Sequence, residues 1–426
     1  MQFTYTNIAP RALTCQHKGS TYLAMPRVAV KPSRAVSELL RTRREELGLT
    51  LREVEKKTAE AGELIPFPSL ARVEQGRADP GVRRLHLLLR LYQVPPQLVS
   101  DVVELEDLAG ELPRTQDARR LYDDGLDHWR RGELGKGIAH LVALQKLLKD
   151  RPKERLFRQK ATVSLAIMAS SLGKHHLALD LVGKLLLEPP EESLLTSVLV
   201  QAGTCWHRLG SCEAALAFLE RAEKHLEPHS HRERAWVLHE KASTLTTPGR
   251  CAEATETLDR AIAAYRKAED PYGESRALAV RARILLKQGD TPSALEATRQ
   301  ARLHAERHGF TRLRILRRID EAHARLLLGD AAQSVSLLRG ALAEAVTEGD
   351  RHGEFHAHHG LWKAHTALGQ KDQAAFELGA ARHYVRFVDE ASDEAQEIRS
   401  HASSEHSRKR QMPRRGGTTL RASGSS

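Results

Sequence analysis

The chain has 426 residues, with 66 Lys+Arg against 55 Asp+Glu for a formal charge of +11, and it is 41% hydrophobic but only 4% aromatic. That composition is globular, no run approaches the ~18 apolar residues of a membrane span, and the N-terminus lacks the apolar run of a signal peptide. Four cysteines (Cys15, Cys205, Cys212 and Cys251) are too few for a disulfide framework and suit a reducing compartment, so a cytoplasmic protein without membrane contact is expected.

The charge is uneven. Residues 1–33 hold Arg11, Lys18, Arg27 and Lys31 with no acid, and the last 26 residues hold Arg408, Lys409, Arg410, Arg414, Arg415 and Arg421 against Glu405. Ser, Thr, Gly and Pro dominate both ends without periodicity, which predicts disordered basic segments at 1–33 and 396–426. Met25, ahead of a basic stretch, offers a second start.

Between the tails the pattern is helical. Val36, Leu39, Leu40 and Leu47 recur at helical spacing after Ser33 or Ser37, and Gly48 ends this first helix. Thr50-Leu51-Arg52-Glu53 reads as a capping box opening a second helix before Val54. After the polar stretch 59–63, Pro66 suits the first turn of a third helix through Leu70 and Val73, stopped by Gly76. Val82, Leu85, Leu88, Leu89 and Tyr92 mark a fourth, and Pro95-Pro96 opens a fifth with Leu98, Val102 and Leu105.

Five short helices, with Gly48-Leu49-Thr50 before the second and Ala71-Arg72-Val73-Glu74-Gln75-Gly76 closing the third, resemble the Cro/lambda-repressor-like (XRE-type) helix-turn-helix domain over residues 34–100. The resemblance implies that the third helix enters the major groove of double-stranded DNA. Phe67, Pro68, Ser69 and Arg72 then face base edges, with Arg72 placed for a bidentate contact to guanine. Thr50, Arg52, Gln75 and Arg77 would hold phosphates. Arg44 would pair with Glu74 to lock the first helix to the third, a structural role. Two features depart from the family: about five extra residues within 58–65, and Leu51 where a phosphate-clamping glutamine is usual. An acidic linker is expected at 101–116.

The remainder repeats. Gly132, Gly173, Gly210, Gly249, Gly289, Gly329 and Gly369 recur every 37–41 residues. Seven before them stand Gly125, Ala166, Gly203, Ala242, Ala282 and Ala322, with Trp362 as the exception. Five after stand Gly137, Ala178, Ala215, Ala254, Ala294, Ser334 and Ala374, and twelve after stand Ala222, Ala261, Ala301, Ala341 and Ala381. This register resembles the tetratricopeptide repeat, as an array of about seven units over 117–395 that are longer than the usual ~34 residues. The fold class expected is therefore all-α: a helix-turn-helix domain followed by a helical superhelix whose first helices line a concave groove. The resemblance turns Arg119, Tyr122, Trp129, Lys160, Trp236, His239, Arg276, Arg283, His323, His356 and Lys363 into that groove, a lining suited to an extended peptide with an acidic group or free carboxylate.

No chemistry for catalysis stands out. His352, His356, His358 and His359 offer an i,i+4 pair, but no cysteine lies near and the HExxH order is missing, so no metal is expected. Cys212 and Cys251 each follow a repeat glycine by two residues and read as small packing residues. Phosphate loops, nucleophile elbows and paired-carboxylate motifs are missing, so neither an enzyme nor a cofactor is expected.

A lambda-repressor-like module joined to such an array resembles bacterial regulators of the peptide-pheromone-receptor type. That resemblance implies sequence-specific DNA binding, a peptide or protein effector in the groove, and a homodimer. The alternative is an interaction scaffold whose helix-turn-helix fold no longer reads DNA.

Overall fold

The computed structural model describes residues 32–401 except 131–132, 189, 248, 386–387 and 389–391; among the described residues the regular secondary structure is helical. Both expected basic tails, with Cys15 and Met25, fall almost wholly outside the described residues, as does Gly132. Two compact units divide the chain, Met1–Pro96 and Gln97–Ser426.

The first unit holds α1 (Arg34–Glu46), α2 (Leu51–Glu60), α3 (Phe67–Glu74) and α4 (Gly81–Leu91). Ser33 is the cap of α1, its Oγ accepting the Val36 N–H at 3.1 Å. Gly48 leaves α1 with φ +66°, a left-handed turn that a side chain would strain. The core gathers Leu40, Val54, Leu70, Leu88 and Tyr92, all buried. Val82, at the start of α4, faces solvent at 88% exposure, so the apolar face of that helix begins a turn later than the sequence pattern implies.

The lengthened connection between α2 and α3 spans 61–66 and is pinned at two residues. Ile65 is buried, and its N–H donates to the Thr58 Oγ1 at 3.1 Å. Glu63 receives Arg83 and Arg84 of α4 at 2.9 and 3.5 Å.

The second unit opens with α5 (Pro96–Ala109). The stretch expected to be a linker from 101 to 116 is thus helical through Ala109. Leu105 and Ala109 pack against the cluster of Leu121, Ile138, Leu141 and Leu144. Its acidic residues are anchors, because Glu104 pairs with the Lys174 ammonium and Asp101 accepts the Leu177 N–H.

Seven helical hairpins follow: α6 (Ala118–Arg130) with α7 (Leu134–Leu148), α8 (Arg155–Ser171) with α9 (His175–Leu187), α10 (Glu192–Arg208) with α11 (Cys212–Lys224), α12 (His231–Thr246) with α13 (Cys251–Lys267), α14 (Pro271–Lys287) with α15 (Thr291–Arg307), α16 (Thr311–Leu327) with α17 (Ala331–Glu348), and α18 (Arg351–Ala367) with α19 (Lys371–Tyr384). Each hairpin packs on the next, and first helices also touch the first helices of adjoining hairpins, the packing of a tetratricopeptide-like solenoid.

The small-residue register is where helices meet. Ala222, Ala261, Ala301, Ala341 and Ala381 are completely buried, as are Ala215, Ala254, Ala294 and Ser334. At the α6–α7 crossing a Cβ on Gly137 would stand 2.9 Å from the Gly125 carbonyl oxygen, so only glycine lets the backbones approach this closely. Trp362 breaks the register in the last hairpin for a physical reason. There it packs on Phe355 and Leu378 and meets His401 edge-on at 5.3 Å, within a final helical segment at 393–401. That segment corrects the expected start of the tail at 396: Ala395 and Ile398, on one face, bury themselves against the end hairpin, which has no further repeat to cover it.

Candidate nucleic-acid interface and effector groove

In the first unit α3 turns Leu70 and Val73 into the core, which leaves Phe67, Pro68 and Arg72 exposed and Ser69 half-buried on the opposite face. Arg52, Gln75 and Arg77 are exposed too. Arg44 Nε and Nη2 donate to the two carboxylate oxygens of Glu74 at 2.8 and 2.9 Å, and Nη1 donates to the Leu49 carbonyl at 2.8 Å. Hydrogen bonding to Glu74 raises the Arg44 pKa, and the buried Tyr92 hydroxyl beside the pair is held above its ordinary range by burial and by the Glu74 charge.

Thr50 is exposed but committed. Its hydroxyl donates to Glu53 Oε2 at 2.8 Å and accepts the Glu53 N–H at 3.2 Å, and its own N–H donates to the same carboxylate at 2.7 Å. Both donors of Thr50 therefore go to the capping box, and it has none to spare for a phosphate. Those bonds hold the Glu53 carboxyl below its usual range.

One residue of this face was not singled out in the sequence. Pro66 caps α3 without a side-chain bond, and Glu55 of α2 supplies the missing acceptor, its Oε1 taking the Phe67 N–H at 2.9 Å. Glu55 lies one turn beyond Leu51 on α2, so this carboxylate stands at the amino end of α3. The only sequence signal is the i,i+4 step from Leu51, and the longer connection hides the register.

In the second unit a cavity of about 380 Å³ is lined from α10, α12, α14, α16 and α18. His239, Arg276, Arg283, His323, His356 and Lys363 of the expected groove all line it, with Arg208, Glu240, Arg317, Asp320 and Glu394 added. A second, more open hollow of about 710 Å³ holds Arg119, Tyr122 and Lys160, with Phe157 tilted against Tyr122 at 5.3 Å. Trp129 and Trp236 line neither hollow. Trp129 packs on the Leu121–Leu172 cluster and Trp236 beside Leu199 and Leu219, so both indoles serve the hairpin interior.

The 380 Å³ cavity disfavours the charged form of His239 and His352. Burial drives His239 down to about 3 and holds His352 well below its ordinary value. Arg283 is open to the concavity yet ringed by protein; that enclosure, with Arg208 and Arg317 near it, lowers its pKa to about 10. His358 and His359 are held by Glu377 at 2.6 Å and Glu397 at 3.0 Å, and among the described residues no three His, Cys, Asp or Glu side chains converge as a metal set. Cys212 and Cys251 are half-buried at the first positions of α11 and α13.

Residues 35–102 match a family model described as a helix-turn-helix domain. No curated protein matches the chain. In fold comparison the chain is similar to PlcR of Bacillus thuringiensis in complex with the peptide PapR7 and DNA, at 14% identity over 65% of this chain and 96% of that one, with a TM-score of 0.39. A Rap protein complexed with competence and sporulation factor is 13% identical over 68% of this chain and 87% of its own, with a TM-score of 0.49. A tetratricopeptide repeat protein from Parabacteroides merdae is 15% identical over 67% and 100%, at 0.42. By the family model and by its own hairpin packing, the chain carries an N-terminal helix-turn-helix domain followed by a tetratricopeptide-like helical array, and no helix among the described residues is long and apolar enough to cross a membrane.

Proposed function

We propose that the protein is a cytoplasmic, sequence-specific regulator of transcription that binds double-stranded DNA through its first unit and a peptide or protein effector through its array, acting as a homodimer without catalysis. The observation that carries the reading is the face of α3. In a domain matched as helix-turn-helix, a short helix anchored by Leu70 and Val73 offers Phe67, Pro68, Ser69 and Arg72 to solvent, with a buried bidentate pair fixing it to α1. Arg72 would read guanine, and Arg52, Gln75 and Arg77 would hold phosphates. An effector that changed the pitch of the array would change the distance between two first units, which must match half-sites ~34–36 Å apart. Selection of genomic fragments on the full-length protein followed by footprinting tests this. A protected, repeatedly selected sequence is expected, and random recovery without a footprint would defeat it.

A specific observation favours a second reading, an interaction scaffold. Glu55 places a carboxylate at the amino end of α3 and Glu53 another beside Thr50, where phosphates would approach. A gel shift that disappears at moderate salt without sequence preference would favour the scaffold.

A further inference from the structure

Among the described residues, pairing inside the 380 Å³ cavity leaves two guanidiniums over. Arg276 donates to Glu240 at 3.3 Å, Arg317 lies 3.0 Å from Asp320, and Lys363 donates to Glu397 at 3.2 Å. Among the described residues Arg283 has no ion pair and donates to a neutral partner, the Ser243 hydroxyl, at 3.2 Å. Arg208, from α10, lines the same cavity with no ion pair among the described residues. Enclosure in a protein-walled space, and after it the like charges of Arg208 and Arg317 from separate first helices, make Arg283 hold its proton less firmly than a solvated arginine. Such an arrangement costs free energy until an anion enters.

We propose that Arg208 and Arg283 form a pocket for the C-terminal carboxylate of a peptide whose last side chain is apolar; this rests on reading the array as the effector-binding part. The guanidinium fork matches a carboxylate in two parallel bonds. Leu316, Ile319 and Leu326, each half-buried, line the same cavity and provide apolar surface for the terminal side chain. Glu240, Asp320 and Glu394, on the same walls, repel a doubly charged phosphate more than a singly charged carboxylate, and they accept hydrogen bonds from peptide N–H groups.

The test uses the full-length protein and two pools of N-acetylated peptides, randomised except for a terminal leucine, one with a free carboxylate and one amidated. Members of the acid pool are expected to be retained at least about tenfold better than their amides, with the preference lost in Arg283→Gln and in Arg208→Gln. Equal retention of the two pools by the unaltered protein overturns the pocket. So does stronger thermal stabilisation by inorganic phosphate than by acetate. If neither pool is retained although acetate stabilises the unaltered protein and not Arg283→Gln, the peptide assignment of the array falls and the carboxylate pocket stands. The comparison of acid with amide needs no variant, so misfolding of either substitution does not decide the outcome.

Discussion

The Asp101 carboxylate on α5 accepts the backbone N–H of Leu177, at the third position of α9, at 3.2 Å. It fills one of the four donors that α9 leaves open at its amino end, from a helix 76 residues away in sequence. Burial nevertheless pushes the Asp101 carboxyl above its usual range, against the pull of Leu177 and Lys174. The ionised form is therefore the costly one, and its contribution to stability falls as pH rises through the raised value. Asp101→Asn, which keeps an acceptor without the charge, is expected to leave stability at pH 7 within about 0.5 kcal/mol. Asp101→Leu strands the N–H and should cost about 1–3 kcal/mol. Hydrogen exchange of residues 96–109 in the full chain separates the two; equal protection in both variants would show that the bond does not anchor α5.

Arg44 and Glu74 form the corresponding lock in the first unit, with side chains only 13% and 7% exposed. Arg44→Ala leaves a buried carboxylate unpaired and the Leu49 carbonyl without its donor, so a loss of about 3–5 kcal/mol is expected. Replacing both partners by apolar residues, Arg44→Met with Glu74→Leu, should recover most of it. Denaturant unfolding of the unaltered protein, Arg44→Met, Glu74→Leu and the double variant provides the cycle, and unchanged stability in Arg44→Met would place the pair outside the core.

Arg72 is exposed on α3, and its side chain makes no hydrogen bond or ion pair among the described residues. Arg72→Ala should leave the melting temperature within a degree or two and weaken operator binding by roughly 10–100-fold, the value of a bidentate base contact of ~1–3 kcal/mol. Operator affinity equal to that of the unaltered protein would remove Arg72 from the readout.

Acid should unfold the array early. His239 is buried, with its pKa driven down to about 3, and among the described residues its Nδ1 lacks a partner while its ring meets Tyr265 edge-on at 6.1 Å. The unfolded chain binds a proton there below pH ~6.5 and the folded chain does not, so stability is full above that value and declines as pH falls toward 3. One such site contributes a slope of about 1.4 kcal/mol per pH unit across the window. His239→Phe keeps the ring and removes the titration, so its acid unfolding midpoint should move to lower pH. An unchanged midpoint would mean that other groups govern acid unfolding.

Ala301 sits on α15 with no exposure, inside the cluster of Leu258, Tyr265 and Ile284. Ala301→Trp has no room and should cost ~1–3 kcal/mol or more, forcing neighbouring hairpins apart. Because each repeat leans only on its neighbours, limited proteolysis should cut near residue 301 while the first unit stays intact. A digestion pattern like that of the unaltered chain would contradict this packing.

The periodic part of the protein was legible because it depends on local rules. Left-handed glycines such as Gly289 must end a helix, and alanines such as Ala301 must stand where two helices touch, so a fixed spacing of glycine and alanine already specifies stacked hairpins. The Arg44–Glu74 pair and the exposed face of α3 were legible for a similar reason, since helical period alone separates Arg72 from Leu70 and Val73. What only the tertiary structure decided are relations between residues far apart in the chain. Asp101 reads as linker acid until α9 presents an open N–H to it, and Glu55 reads as a solvated glutamate until the loop at 61–66 brings Phe67 within reach. Trp129 and Trp236 share a pattern with groove residues, and their burial depends on which side of each hairpin the next one covers. The unpaired charge of Arg208 and Arg283 likewise follows from superhelical stacking, because helices spaced about 40 residues apart must first be brought around one cavity before it is evident which guanidiniums have no carboxylate left.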